Sequence, residues 1–400
     1  MYIIRKSITW LLVTVLGLVA LALLYAFLFY PAEYVLRVLR WGDADVYDYQ
    51  KFPARTMSAS TEPFHFVVNL QETAVLNQFN QSPITNGDFE QFLTDTGTQA
   101  FLVIQNDTIL YENYFNGASH NTTVTSFSMA KSFASTLIGI AISEGHIHSV
   151  NDPITDYLPE LAQRDPSFAN ITIRDLLMMS SGIHYAEFPF VNGDDAKTYY
   201  YPDLRDLALN QTKIDGDPGQ TFLYNNYHPL LLGLILERAT SMPVADYLAQ
   251  KIWQPIGMEA DGTWSLDARG FEKMESGING RAIDFAKFGR LFLNQGNWDG
   301  NQIVPAIWVD EATNPDPSHL GNYYSDQFRA TIPNGYYKYM WWGLEREGAA
   351  NDFAALGNHG QFIYVSPHKN LIIVRHGKKY GADYAEWLKL FYDFVTDFEG

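Results

Sequence analysis

The stretch SFSMAKSFASTLIGIAISEG, residues 126–145, contains the most informative pair of residues in the chain. Ser128 stands three positions before Lys131, and positions i and i+3 lie on the same face of a helix, so the hydroxyl and the amine can meet. The apolar residues that follow predict a buried helix, with Ser126 as its N-cap and Gly145 at its end. A serine paired with its own base is a candidate nucleophile, although the pattern S-x-x-K also arises by chance.

The composition of the chain excludes several classes of function. Its 400 residues allow one large domain or two smaller ones, and 27 basic against 45 acidic residues give a net charge of −18. This charge argues against nucleic acid as a partner, because binding to phosphates needs clustered lysine and arginine. Without cysteine the chain has no disulfide, no thiolate nucleophile and no cysteine-bound metal.

The histidines give no sign of a metal site. None of the ten shows H-x-x-x-H or H-E-x-x-H spacing. His146 and His148 lie two apart beside a turn, where contact with solvent explains them better than a shared metal. No glycine-rich phosphate loop of the Walker type is present. We therefore expect neither a metal ion nor another cofactor.

The N-terminus predicts a membrane anchor. No charged residue occurs from Ser7 to Ala32, and about 20 apolar residues are enough to span a bilayer. A cleaved signal peptide has a shorter apolar core and a small-x-small site, whereas this run ends in bulky Phe29 and Tyr30. We expect residues 1–31 to form a cytoplasmic tip and a single transmembrane helix, with residues 8–30 in the membrane.

The charges that flank this span leave its orientation nearly balanced, because Arg5 and Lys6 precede it and two arginines follow it. We favour an N-terminus inside the cell, which places the rest of the chain outside the cytoplasm, in the periplasm of a bacterium. Residues 32–87 are expected to form a juxtamembrane helix and a linker that drapes over the next domain. The helix, Pro31 to Trp41, either lies on the membrane surface by its apolar face or extends the span.

Residues 88–400 are predicted to form one catalytic domain with strands near both of its ends. Four β-rich runs, the first two joined by a turn, are expected to be these strands: Ala100–Gln105, Thr108–Tyr114, Phe362–Val365 and Leu371–Arg375. A helix at Asp383–Phe398 closes the chain, and the stretch between the strands is mainly helical. We therefore expect an α/β (α+β) fold, with one sheet built from both ends and an inserted all-helical lobe at about 145–325.

Two further motifs strengthen the case that Ser128 is a catalytic nucleophile. Tyr224-x-Asn226 follows a Pro-Gly turn and precedes an apolar helix, so a phenol that relays protons and an amide that holds a carbonyl can face one cleft. Gly357-Asn358-His359-Gly360-Gln361 precedes a strand, and glycines there let a sheet edge approach a ligand closely. A backbone N–H from this edge can pair with that of Ser128 to form an oxyanion hole. Either motif alone is an ordinary turn.

Together, Ser128-x-x-Lys131, Tyr224-x-Asn226 and the Gly/His-rich segment resemble the serine β-lactamase and penicillin-binding-protein superfamily. The resemblance covers most of residues 95–398 and is strongest to the class C-like branch of esterases and 6-aminohexanoate-dimer hydrolases. It is also carried by four further segments: Ile171–Leu177 ahead of Ser181-Gly182, Pro255–Met258 with Trp264, Phe288–Leu293, and Trp341-Trp342-Gly343. It implies an antiparallel β-lactamase-like sheet flanked by terminal helices.

The resemblance also implies acyl transfer through a covalent serine ester. Ser128 would be the nucleophile, with Lys131 or Tyr224 as its base, and the N–H groups of Ser128 and Asn358 would hold the oxyanion. Substrate contacts fall on residues of the three motifs and on aromatic residues near them: Asn226, Asn358, His359, Gly360, Tyr185, Trp341, Tyr199 and Tyr200. The expected partner is a small ester or amide, or a peptide. Its identity depends on loops around 185–215 and 315–340.

The segment around Asn358 departs from the superfamily pattern because it lacks the Lys-Thr-Gly triplet, whose lysine would attract a substrate carboxylate. No counterpart of the class A deacylating glutamate is evident either. The first hypothesis is therefore a membrane-anchored serine hydrolase of esters or amides. A D-alanyl cell-wall peptidase or β-lactamase, and a non-catalytic binding module of the same fold, remain alternatives. The sequence leaves the oligomeric state open.

Overall fold

The computed structural model describes residues 2–189, 192–316, 324, 332 and 335–398, with side chains from Trp10 onward. The strands are β1 (Ala54–Met57), β2 (Val67–Val68), β3 (Thr98–Gln105), β4 (Thr108–Tyr114), β5 (Val124–Thr125), β6 (Gly262–Ser265), β7 (Ile278–Gly280), β8 (Asn297–Trp298), β9 (Asn301–Gln302), β10 (Gly335–Lys338), β11 (Trp341–Leu344), β12 (Asp352–Gly357), β13 (Gln361–Ser366) and β14 (Leu371–Gly377).

The α-helices in the described residues are α1 (Tyr2–Phe29), α2 (Ala32–Trp41), α3 (Glu72–Asn80), α4 (Phe89–Asp95), α5 (Ala130–Ser143), α6 (Pro159–Arg164), α7 (Ile173–Leu177), α8 (Asp194–Tyr200), α9 (Leu204–Asp206), α10 (Tyr227–Thr240), α11 (Val244–Leu248), α12 (Ala282–Leu293), α13 (Ala306–Thr313) and α14 (Tyr384–Asp397).

The main sheet has eight strands in the order β10-β11-β12-β13-β14-β3-β4-β2, so the two ends of the domain meet where β14 pairs with β3. The α/β fold predicted from strands at both ends is confirmed. The expectation of a purely antiparallel sheet is wrong at one edge, because β2 runs parallel to β4. At that edge the chain that arrives from the N-terminal segment adds a short strand in the same direction as β4.

Both faces of this sheet are buried. In β3, Ala100, Leu102 and Ile104 face the core that contains α5 and α12, whereas Phe101 and Val103 face the core that contains α3, α4 and α14. Successive side chains on a strand point to opposite faces, and here each face is covered by helices. The sheet is therefore the middle layer of a three-layer domain.

The inserted lobe is not all-helical as predicted. A second sheet, in the order β1-β6-β7-β5, takes two of its strands from residues 145–325, and a β8–β9 hairpin lies in the same interval. Trp264 at the centre of the second sheet is fully buried, and it belongs to the same hydrophobic core as α5, α12 and one face of the main sheet. The C-terminal limit of the predicted lobe, near residue 325, lies outside the described residues.

Residues 32–87 contribute more structure than the predicted helix and linker. They supply β1 to the second sheet, β2 to the main sheet and α3 to one of its faces. Phe79 of α3 stacks on Phe394 of α14 with ring centroids 4.0 Å apart, and neither side chain reaches solvent appreciably. The buried aromatic stacking makes α3 part of the domain.

From Trp10 to Phe29 the N-terminal helix α1 is almost entirely exposed, with Ala26 buried, and this stretch is long and apolar enough to cross a membrane by length and composition. Helix α2 follows after Pro31. It buries Tyr34, Val35 and Val38 against the domain and leaves Leu36 and Leu39 exposed. Of the alternatives for this segment, a simple extension of the span is wrong, since α2 is a separate helix that packs on the domain.

Candidate active site

Ser128 lies in a tight turn rather than in the helix itself. A 3₁₀ turn, Phe127–Met129, precedes α5, and Phe127 has φ +42°, a left-handed conformation that is costly for a bulky residue. Ser126 occupies the N-cap position of this turn as predicted, but its side chain makes no capping bond: its hydroxyl donates to the Phe127 carbonyl and accepts from the N–H of Ile278. The turn leaves Ser128 half-buried at the N-terminal end of α5, facing the cleft.

Lys131 lies directly behind Ser128. Its Nζ donates to Ser128 Oγ at 2.8 Å and to the carbonyl oxygen of Glu275 at 3.0 Å, and the side chain is 1% exposed. Burial lowers the pKa of Lys131 to about 7, although the charges of Glu275 and Asp195 act in the opposite direction. Near neutral pH, Lys131 is therefore the neutral amine in a large fraction of the molecules, and a neutral amine can accept a proton.

Tyr224 completes the contacts of the serine. Its hydroxyl hydrogen-bonds with Ser128, and Lys131 Nζ lies 4.9 Å from the centre of its ring. Burial raises the pKa of Tyr224, against the opposing effect of the bond to Ser128. The phenol therefore keeps its proton where Lys131 loses one, so the two groups next to Ser128 are a proton donor and a proton acceptor.

Asn226 belongs to a polar network on the opposite wall. Its Nδ2 donates to the Tyr185 hydroxyl at 2.8 Å and to Asp195 Oδ1 at 3.1 Å, and the Tyr185 hydroxyl lies 3.2 Å from the same carboxylate oxygen. Asp195 faces the open cleft and is accessible to solvent, but protein surrounds the rest of its carboxyl group. The resulting loss of hydration raises the pKa of this carboxyl group. Sequence reasoning missed Asp195, because its place next to Asn226 arises only from tertiary contacts.

The sheet edge meets the serine turn at Gly357. A Cβ atom on Gly357 would lie 2.2 Å from the Ser126 carbonyl oxygen, so only glycine permits this approach. The next residue, Asn358, lines the cleft and accepts the N–H of His359 with its side chain at 2.7 Å. The glycine predicted to let the sheet edge approach a ligand thus lets it approach the turn that holds Ser128.

The cleft consists of two adjoining cavities of about 460 and 370 Å³. They share Ser128, Asp195, Asn226, Asn358 and Tyr380. Of the other residues predicted from the sequence, Tyr185 and Tyr224 line the first cavity, and Tyr199, Tyr200 and His359 line the second. The lining also includes residues that the motifs did not indicate. These are Glu187, Trp342, Leu356 and Tyr384 in the first cavity, and Asp43, Ala44 and Glu275 in the second.

The described lining of this cleft is acidic. Four carboxylates contribute to it, those of Asp43, Glu187, Asp195 and Glu275. No described lysine or arginine lines the cleft. Lys131 lies beneath the surface behind Ser128, and buried Lys273 pairs with Glu275 at 2.9 Å. The cleft therefore attracts cations and repels anions.

Two of the predicted substrate contacts need correction. Trp341 is 1% exposed and packs on Phe292 with ring centroids 4.4 Å apart, while its neighbour Trp342 lines the cleft. Adjacent residues of a strand face opposite sides, so the contact shifts by one position. Gly360 lies in the turn between β12 and β13, where its carbonyl accepts from buried Arg375 at 2.5 Å and it is not part of the cleft lining.

His359 is held from two sides. Its Nε2 lies 2.9 Å from the Ala44 carbonyl oxygen, and its ring lies against Phe127 with centroids 5.1 Å apart. The side chain thus joins the turn that holds Ser128 to the segment that follows α2. Within the described part of the chain, no group of three or more His, Asp or Glu side chains is placed to hold a metal ion.

Comparison with known proteins agrees with this geometry. Residues 87–386 match the Beta-lactamase family. A 6-aminohexanoate-dimer hydrolase from Paenarthrobacter ureafaciens is 27% identical over 318 residues, which cover 75% of this chain and 77% of that protein.

Two solved structures give the same result. A candidate 6-aminohexanoate-dimer hydrolase from Bacillus anthracis is 25% identical, with a TM-score of 0.76 over 90% of this chain and 93% of that one. A class C β-lactamase, 17% identical, shares the fold with a TM-score of 0.59 over 84% of this chain and 99% of that one. The resemblance stated from the three motifs is confirmed, and the chain belongs to the β-lactamase family of serine hydrolases.

Proposed function

We propose that this protein is a membrane-anchored serine hydrolase that cleaves an ester or amide bond through an acyl-enzyme on Ser128. The observation that carries the proposal is the contact between Lys131 Nζ and Ser128 Oγ, 2.8 Å long, at a lysine whose pKa burial lowers to about 7. A nucleophile within hydrogen-bond reach of a group that is a base at working pH is the requirement for covalent catalysis.

The reaction begins when Ser128 Oγ attacks the substrate carbonyl and transfers its proton to the neutral amine of Lys131. The N–H groups of Ser128 and Asn358 stabilise the oxyanion, helped by the positive N-terminal end of α5. Tyr224 donates a proton to the leaving group as the carbonyl re-forms, and is reprotonated from Lys131. Water then hydrolyses the ester on Ser128 by the same steps in reverse order.

The two candidates for the base differ in their protonation. Burial lowers the pKa of Lys131 to about 7 and raises that of Tyr224. Because a general base works best when its pKa is close to the operating pH, Lys131 suits the role of base and Tyr224 that of proton shuttle. This division of roles is part of the proposal.

The acidic cleft supports a substrate that carries a positive charge near the scissile bond. A protonated amine can reach Asp195 or Glu187 without displacing a competing cation, since no described lysine or arginine lines the cleft. The same lining disfavours the alternatives of a β-lactamase and a D-alanyl peptidase, whose substrates end in a carboxylate. An aminoacyl ester or an amide of an amino acid carries an ammonium group next to the scissile bond and does not end in a carboxylate.

The membrane anchor is the remaining part of the proposal. The stretch from Trp10 to Phe29 has the length and apolar composition of a single span, with Tyr25 and Tyr30 at the end nearer the domain. An N-terminus inside the cell places the catalytic domain outside the cytoplasm. A cleaved signal sequence passes the same test of length and composition, and mass spectrometry of the protein isolated from membranes distinguishes the two.

The decisive experiment is hydrolysis of p-nitrophenyl acetate and alanine p-nitroanilide by the full chain in detergent micelles. Ser128→Ala removes the nucleophile, and Ser143→Ala at the other end of α5 is the matched control. Turnover that is lost in the first variant and kept in the second supports the proposal. If the unaltered chain hydrolyses neither substrate nor a D-alanyl peptide, the non-catalytic binding module becomes the better account.

A further inference from the structure

The segment that leaves the proposed membrane span forms one wall of the cleft. Asp43 and Ala44, directly after α2, line the second cavity. The Tyr200 hydroxyl donates to the Gly42 carbonyl at 2.8 Å, and the Tyr199 hydroxyl donates to Asp48 at 3.1 Å. With the contact of His359 to Ala44 described above, these bonds fix residues 42–48 to the catalytic domain.

The opposite wall is also tied to the span. Residues 185–189 and 192–195 bring two carboxylates to the cleft, those of Glu187 and Asp195. Three residues before Asp195, Asn192 accepts a hydrogen bond of 2.8 Å from the hydroxyl of Tyr30, the residue that follows α1. One wall is thus attached to the residue that directly follows the span, and the other is formed by the segment that follows the span after the single helix α2.

The distance between the span and the cleft is short. Helix α2 has ten residues and is therefore about 15 Å long, and Asp43 comes two residues after it. Aromatic packing makes the connection stiff, because the Tyr34 ring lies 5.5 Å from those of both Tyr30 and Tyr201. The cleft therefore lies within about one helix length of the C-terminal end of the proposed span.

Exposed apolar side chains lie on the same part of the molecule. Leu36 and Leu39 of α2 are 57% and 55% exposed, and Phe188, next to Glu187 of the cleft, is 77% exposed. The α2 leucines come seven and ten residues after Phe29, which is itself exposed at the end of the span. Because they adjoin the proposed span, the bilayer is the occupant we assign to these side chains.

We propose that the cleft takes its substrate from the membrane surface: an amphiphile whose apolar part stays in the bilayer while its aminoacyl ester enters between Glu187 and Asp43. This inference rests on the proposed function and specifies its substrate class. The acidic lining supplies the preference for an ammonium group, and the attachment of both walls to the span supplies the preference for a membrane-resident carrier.

The test uses the full chain reconstituted in phosphatidylcholine vesicles. One substrate is alanyl-phosphatidylglycerol in the same vesicles, and the other is alanine methyl ester in solution, which carries the same aminoacyl ester without a lipid. Alanine released per minute is measured for both. We expect the lipid-borne ester to be hydrolysed with the higher kcat/KM, and Ser128→Ala to abolish both reactions.

Variants separate contact with the membrane from chemistry. Replacing Leu36 and Leu39 by serine, or Phe188 by serine, removes the apolar contact without touching the cleft. We expect each to lower hydrolysis of the lipid-borne ester about tenfold and to leave the soluble ester unchanged. Ile307→Ser is the matched control, since Ile307 of α13 is 79% exposed elsewhere on the domain.

The outcomes distinguish the two proposals. Ser128-dependent hydrolysis of the soluble ester with none of the lipid-borne ester would overturn the membrane-surface inference and leave the hydrolase intact. The membrane-surface inference is also overturned if the serine variants of Leu36, Leu39 and Phe188 lower the hydrolysis of both esters equally, or if they lower the hydrolysis of neither ester. Hydrolysis of neither ester by the unaltered chain overturns the inference together with its premise.

Discussion

The Nζ atom of Lys131 lies 2.8 Å from the Oγ atom of Ser128, at the start of one helix and beneath the floor of an acidic cleft. The side chain of Lys131 is 1% exposed, and among the described residues its other hydrogen bond goes to the backbone carbonyl of Glu275, which carries no charge. The nearby charges of Glu275 and Asp195 offset the cost of burying the ammonium group only in part, so the pKa of Lys131 is lowered and its proton is easily lost.

The first prediction concerns the pH dependence of turnover. If Lys131 accepts the proton of Ser128, only its neutral form is active, so kcat/KM rises with pH through about 7 and levels off above it. The measurement is kcat/KM for p-nitrophenyl acetate between pH about 5 and about 9. A profile that stays flat through this range, after correction for spontaneous hydrolysis, would contradict the role of Lys131 as base.

A second prediction concerns stability. The pKa of Lys131 is about 7 in the folded protein and 10.5 as its ordinary value, so between these pH values the unfolded chain binds more protons than the folded one. The free energy of unfolding therefore gains a contribution that rises with pH from about 7 to about 10.5. This charge-burial cost is largest below pH about 7.

Lys131→Met removes the titration and keeps the volume. We expect this variant to be inactive yet more stable than the parent at pH 7, by roughly 1–4 kcal/mol, the range found when buried charged groups are replaced by apolar ones. The gain should shrink as the pH approaches 10. Urea unfolding at both pH values measures it, and a gain independent of pH would show that Lys131 pays no such cost.

A third prediction concerns the charge of the substrate. Asp195→Asn removes one cleft carboxylate while keeping the shape of the side chain. We expect kcat/KM for alanine p-nitroanilide to fall about 10- to 100-fold, the cost of one lost charge-assisted contact, and the rate with p-nitrophenyl acetate to change little. Asp217→Asn, at an exposed position outside the cleft lining, is the control. Equal losses with both substrates would show that Asp195 supports the site and does not recognise an amine.

The local parts of the site could be predicted from the sequence because a single turn of helix carries them. The spacing of Ser128 and Lys131 sets their contact, whatever the rest of the fold does. The loop that precedes α10 similarly delivers Tyr224 and Asn226 together. The main sheet that joins both ends of the domain could likewise be predicted, from the β-rich runs near each end.

Other parts could not be predicted, because they arise from tertiary contacts alone. Asp195 and Asp43 are far apart in the sequence, stand in no motif, and meet at the cleft only after α2 packs on α8. The sequence also could not show that Trp342, and not the predicted Trp341, lines the cleft. When both faces of a sheet are covered, the alternation of side chains shows that the two residues face opposite ways but not which way the cleft lies.

A fourth prediction separates these two tryptophans. Trp342 is half-buried in the cleft, whereas Trp341 fills the core against Phe288 and Phe292. Trp341→Ala should lower the free energy of unfolding by about 3–5 kcal/mol, and the milder Trp341→Phe should stay active with an unchanged KM. Trp342→Ala should instead raise KM with a smaller loss of stability. Urea unfolding and steady-state kinetics measure the pair, and the reverse assignment of the two effects would contradict it.

The last prediction tests how the sheet edge meets the nucleophile. A Cβ atom on Gly357 would lie 2.2 Å from the Ser126 carbonyl oxygen and 3.2 Å from the Cβ of Phe127, so Gly357→Ala must separate β12 from the turn that holds Ser128. That turn already contains Phe127 at φ +42° and cannot move without losing its conformation. Asn358 would move with the strand, and with it the proposed second oxyanion donor.

We expect Gly357→Ala to lower kcat about 100-fold, as a displacement of about 1 Å in a catalytic group does, and to cost roughly 1–3 kcal/mol of stability through overpacking. KM should change less than kcat, because the carboxylates proposed to bind the amine of the substrate, Glu187 and Asp195, lie on another segment of the chain. Gly216→Ala is the control, since a Cβ there meets no atom within 4 Å. A Gly357→Ala enzyme with the parent kcat would show that β12 does not set the position of the reacting groups, and the oxyanion hole would have to be sought away from Asn358.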